Sequence, residues 1–119
     1  MKVKCIAINS HGSLSIGKIY TVYGLGFVRN SPVYYIRSED DEISPYPYNA
    51  NFFELKDRRL SSYWRWYVQA NVDGQLTCYL VFPEWGCDHI FYENLIDGDP
   101  EAEAIFGKYK KLMDDEFSN

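Results

Sequence analysis

The sequence predicts an α+β protein with a barrel-like β region over residues 1–60, a β-hairpin over 61–83 and a helical part over 84–119, all within one domain (1–119). Three observations carry this expectation. The first half is a series of short β-branched and aromatic runs broken by turn residues, as in Ile19-Tyr20-Thr21-Val22-Tyr23 and Val33-Tyr34-Tyr35-Ile36-Arg37. Asp73-Gly74 lies between two alternating runs and supplies the positive φ angles of a tight hairpin. Asp99-Pro100 then opens a stretch with apolar residues at helical spacing.

In order, residues 2–9 set Val3, Cys5 and Ala7 against Lys2, Lys4, Ile6 and Ile8, which reads as a first strand. His11-Gly12-Ser13 is turn material. Leu14 to Lys18 leads into the second strand, Ile19 to Tyr23, where Gly24 and Gly26 mark a bend or bulge. Arg29 to Pro32 turns, Val33 to Arg37 is the third strand, and Ser38 to Glu42 is a charged loop. Pro45 and Pro47 confine Ile43 to Tyr48 to an edge or irregular segment. Asn51 to Leu55 closes the series.

After the polar junction 56–62, Tyr63 to Ala70 places Trp64, Trp66, Val68 and Ala70 on one side. Arg65, Tyr67 and Gln69 alternate with them. Gln75 to Phe82 returns with Leu76, Cys78, Leu80 and Phe82 facing one way. Pro83 to Asp88 turns the chain, and His89 to Ile96 forms a short helix. In the last helix, Pro100 to Glu116, the set Ala102, Ile105, Phe106, Tyr109, Leu112 and Met113 makes one buried face.

In strand order the first half resembles the SH3-like barrels of small prokaryotic proteins. The carrying residues are Leu14, Gly17, Lys18, Tyr20 and Val22, then Tyr35-Ile36, then Phe53-Glu54. The resemblance covers roughly half the chain and implies a small β-barrel, without a particular activity. The acidic-aromatic first loop of peptide-binding SH3 domains is missing, so a proline-rich ligand is not implied.

Composition narrows the function. The chain is rich in apolar and aromatic residues, unlike a disordered segment. No run approaches the ~18 apolar residues of a membrane-spanning helix. The N-terminal apolar run, Cys5 to Ile8, is shorter than a signal peptide requires. Cys5, Cys78 and Cys87 are an odd, scattered set, which suits reduced thiols. Cytoplasmic residence is therefore expected, with Cys5 and Cys78 in the core. The net charge is −5, and residues 84–119 hold ten acidic against three basic groups. Such a surface repels phosphate and disfavours direct nucleic-acid binding. It suits a basic protein.

Catalytic signals are weak. Cys87-Asp88-His89 offers metal ligands but lacks a second spaced pair, and His11 is the one other histidine. Cys87 with His11 or His89 would form a thiolate pair, though nothing in the spacing requires it. Gly24-Leu25-Gly26 lacks the third glycine of a phosphate loop. No cofactor, metal or enzymatic activity is expected.

Two features remain as candidate partner-binding residues. One is the aromatic hairpin with Trp64, Arg65, Trp66 and Tyr67, residue types that dominate binding hot spots. A strand buried on both sides would look the same. The other is the acidic third, with Glu84, Trp85, Asp88, Asp97, Asp99, Glu101 and Glu103. Helix N-terminal placement explains Asp99, Glu101 and Glu103 without any partner. It does not explain Asp114, Asp115 and Glu116, which sit at the unfavourable end of the helix dipole. In character the chain resembles bacterial immunity proteins that neutralise nuclease toxins. That implies an inhibitor occluding a basic toxin or enzyme. The alternative is an SH3-like structural or regulatory adaptor of phage or mobile-element origin.

Overall fold

The computed structural model describes residues 1–7, 14–28, 30–38 and 43–118. The turn at His11, Arg29 and the charged loop at 39–42 lie outside the described residues. Seven strands precede the α-helices among the described residues: β1 (Lys2–Cys5), β2 (Ile19–Val28), β3 (Ser31–Ile36), β4 (Tyr46–Asn49), β5 (Phe53–Asp57), β6 (Arg65–Ala70) and β7 (Leu76–Val81), with a 3-10 turn at Ala50–Phe52. Then come α1 (Pro83–Gly86), α2 (Phe91–Ile96) and α3 (Pro100–Glu116). All pairings are antiparallel. None of the described helices is long and apolar enough to cross a membrane.

β2 organises the sheet. Its first half pairs with β1, which pairs onward with β5. Its second half lies between β3 and β7, which pair onward with β4 and β6. The register of β2 against β3 shifts between Val22 and Gly24, so the expected irregularity at the glycines is a β-bulge inside one long strand. β4, carrying Pro47, is an edge strand as expected.

The closed small barrel expected over residues 1–60 is not shown. β4 and β5 stand at opposite ends of the strand path β4-β3-β2-β1-β5, and the sheet is open. Closure needs a pairing between distant strands, which local patterns do not specify. Phe53 on β5 instead leans over one end of the sheet, its ring edge-on to Tyr34 and Tyr48 at 5.7 and 6.4 Å.

The helices cover the opposite face. Asp99 caps α3 by accepting the Ala102 N–H at 2.9 Å, and Pro100 occupies the first turn. Ala102, Phe106, Tyr109 and Met113 are buried at helical spacing, so this helix forms where the sequence places it. Phe106 meets Tyr23 of β2 edge-on at 5.6 Å. Phe82 is fully buried and stacks on Tyr109 at 4.2 Å. Pro83 to Gly86, expected as a plain turn, winds into one helical turn with Pro83 at its start.

The end of α3 has structural roles for two of its three unfavourable acids, Asp114 and Glu116. Asp114 accepts the Tyr23 hydroxyl at 2.8 Å and pairs with Lys110 at 2.7 Å. Burial first, and then the Asp114 charge and hydrogen bond, push the Tyr23 hydroxyl far above its ordinary pKa. Glu116 accepts the Ser61 and Ser62 hydroxyls at 2.7 and 2.6 Å and the Ser62 N–H at 2.7 Å. Asp114 fastens α3 to β2, and Glu116 fastens it to the turn that precedes β6.

Candidate protein-binding surfaces

The four aromatic-hairpin residues separate in space. Ser61 accepts the Trp64 N–H, and this turn aims the indole inward before β6 begins. Trp64 is 5 % exposed and donates Nε1–H to the Tyr23 carbonyl at 3.1 Å. It is therefore core, not contact surface. Trp66, two residues on, is 61 % exposed. Arg65 turns back on its own loop, donating to the Ser62 and Trp64 carbonyls.

Trp66 belongs to an apolar sheet face. Directly paired residues share a face. The registers therefore align Trp66, Leu80, Leu25 and Tyr34 in one row and Val68, Cys78, Phe27 and Pro32 in the next. Neither row contains a charge. Leu76 at the margin is 60 % exposed, and Val68 is also exposed. Leu25, Phe27, Trp66 and Leu80 line a shallow groove of about 380 Å³. Cys78 is half-buried on this face, which corrects its expected core position. Leu76 and Leu80 lie here too, whereas Phe82 beyond the strand end turns into the core. Contiguous apolar surface of this kind makes the face a candidate docking surface.

The other face of the hairpin meets the helices. The Tyr67 ring lies over Gly86, where any Cβ would overlap it, so glycine is required there. The Cys87 thiol donates to the Tyr67 hydroxyl at 3.6 Å. Beside them a cleft of about 190 Å³ opens between the sheet and α1–α2. Tyr35, Tyr79, Trp85 and Tyr92 supply its aromatic wall, and Asp88 and Glu93 its acids. Trp85 and Tyr92 stack at 5.4 Å, and Tyr35 stands edge-on to both at 4.9 and 5.4 Å. Tyr92 is tied down by donating its hydroxyl to the Pro45 carbonyl at 2.7 Å. Burial raises the pKa of Tyr35 and Tyr79, so both hydroxyls stay neutral.

The predicted acids have mixed roles. Glu84 accepts the Tyr109 hydroxyl at 2.8 Å; burial first, and then this bond, push that hydroxyl up to about 12. Asp88 accepts the Ile90 N–H at 3.1 Å and so shapes the entry to α2. Asp99 is the α3 cap. Asp97 and Glu101 are exposed, and Glu103 is half-buried in the first turn of α3. Trp85 is buried, with its ring lining the cleft. Glu93, another acid of the same third, is exposed at the cleft.

One sequence signal would have found this region. From Trp66 through Gly107 the chain contains no Lys or Arg. The carboxylates there have no nearby cation in sequence. Among the described residues, neither Asp88 nor Glu93 takes part in a salt bridge.

No family model, curated protein or solved structure matches this chain. Its function must be read from these two surfaces. The catalytic candidates gain little from the geometry. Cys87 and His89 are both exposed, and His11 lies outside the described residues. Among the described residues, no three His, Cys, Asp or Glu side chains cluster as metal ligands.

Proposed function

We propose that this protein is a binding module that occludes a basic protein, in the manner of an inhibitor or immunity protein. One observation carries the reading: a segment without Lys or Arg supplies most of the lining of an open aromatic cleft on the helical side, with Asp88 and Glu93 among it. Opposite charge speeds encounter and sets register, while aromatic rings supply the buried contact. A standard interface takes about 800 Å² from each partner, a small share of the 7101 Å² that this chain exposes. In this reading the open sheet is scaffold, the protein acts in the cytoplasm without a cofactor, and it performs no catalysis.

Pull-down from the native host should recover one basic protein. Raising the salt from ~0.1 M to ~1 M shortens the Debye length from ~10 Å to ~3 Å and should weaken capture several-fold. Salt-insensitive capture, or the absence of a basic partner, overturns the reading.

The apolar sheet face favours a second reading, an adaptor of phage or mobile-element origin that joins a larger assembly. Trp66→Ala should then shift stability by no more than about 0.5 kcal/mol, as surface changes usually do, yet abolish assembly. Size-exclusion chromatography of host extracts beside a denaturation curve checks both. Assembly that survives the substitution sinks this reading.

A further inference from the structure

We infer that the cleft between the sheet and α1–α2 is a receptor for a guanidinium group and takes the side chain of one arginine from the partner. This rests on the partner being a basic protein, as proposed above. Size is the first argument. Drug-sized ligands occupy pockets of roughly 300–1,000 Å³. This cleft holds about 190 Å³. A space of that size matches one long side chain better than a cofactor.

The walls are the second argument. Tyr35, Tyr79, Trp85 and Tyr92 present aromatic surface, to which a cation is drawn by the ring quadrupole. Asp88 and Glu93 stand at the same cleft, and Gln69 adds an amide. A ligand bearing negative charge meets two carboxylates there. A neutral apolar ligand leaves both charges without a counter-ion. A cation satisfies both the rings and the acids.

The absence of a resident cation is the third. Among the described residues no Lys or Arg lines the cleft, and the segment containing α1 and α2 has none to swing in. His89 is the one other titratable side chain besides the acids and tyrosines at the cleft. Arginine is preferred over lysine because a planar guanidinium stacks on rings and forks onto carboxylates. Lysine offers a compact, strongly hydrated point charge.

The test uses the intact chain and N-acetyl-arginine amide as probe, at pH 8. The three Trp indole N–H signals report position. The Trp85 signal should move with a Kd on the order of 1 mM, as expected for so small a ligand. Trp64 and Trp66 should stay still. The uncharged isostere N-acetyl-citrulline amide should have no effect, and the lysine analogue should bind more weakly. Asp88→Asn with Glu93→Gln should weaken the arginine probe about tenfold. Asn at 88 still accepts the Ile90 N–H, and both positions are exposed, so the variant keeps its fold. A silent Trp85, equal binding of citrulline, or an unaffected double variant overturns the assignment. Should the chain capture a basic protein in a salt-dependent way while Trp85 ignores arginine, the cleft inference fails and the inhibitor reading survives. Should Trp85 respond while no basic partner is captured, the inhibitor reading is the one that fails.

Discussion

Phe82→Ala lowers stability by about 3–5 kcal/mol, the range for deleting a buried phenylalanine ring. Phe82 has no exposed surface and sits where β7 hands over to α1. Its ring stacks on Tyr109 of α3 at 4.2 Å and meets Trp85 of α1 and Phe91 at the start of α2 edge-on, each at 5.6 Å. One side chain thus ties all three helices together at the edge of the sheet. With a slope of ~2 kcal/mol/M, the urea midpoint falls by about 2 M while the slope itself is unchanged. Phe82→Leu keeps most of the volume and costs much less. A midpoint that moves no more than that of Val68→Ala, an exposed site on the other face, refutes the central position of this ring.

Glu116→Ala costs about 2 kcal/mol, because hydrogen bonds to a charged group are worth ~1.5–3 kcal/mol and the groups left behind lose their acceptor. Ser61 is buried, and its hydroxyl and both Ser62 donors converge on this one carboxylate. The consequence for pH follows from the same bonds. Partial burial acts to raise the Glu116 pKa. The bonds from Ser62 and Ser61 outweigh it and hold the carboxyl below its usual range. Folding therefore favours the charged form. Its contribution is complete above the unfolded value of ~4.3 and is lost as pH falls through the lowered folded value. The stability gap between wild type and Glu116→Gln, measured by denaturation from neutral to acid pH, should narrow on acidification. A gap that stays constant means the carboxylate is merely a neutral acceptor.

Much of the element order was legible from local chemistry. Asp99 and Pro100 announce α3, Asp73-Gly74 announces the hairpin, and Pro45 and Pro47 mark the edge strand. Which face of a strand is covered was not legible. Alternation separates Trp66, Val68 and Ala70 from Tyr67 and Gln69, but both sets suit burial, and only the tertiary arrangement of the helices chooses between them. Trp64 was grouped with Trp66 because both have even numbers, yet a turn at Ser61 intervenes before the strand starts. The acids of α3 escaped for a different reason. Tyr23 lies 91 positions from Asp114, and Ser61 lies 55 from Glu116, so no local pattern pairs them. Of the candidate site, the acidic segment and the aromatic hairpin were visible in outline. The cleft was not, since it is assembled from β3, β6, β7 and two helices.

Among the described residues β6 has a strand neighbour on one side alone, so its outer row of amides and carbonyls faces no ladder. Such a margin is a template onto which any extended peptide, including another copy of the chain, can zip. Backbone zippering is indifferent to sequence. Any selectivity there falls to Trp66 and Val68 beside it. Mutual repulsion between molecules each bearing −5 opposes indiscriminate stacking in dilute salt. The carboxylates on the helical side thereby also act as a colloidal safeguard for a strand margin they never touch.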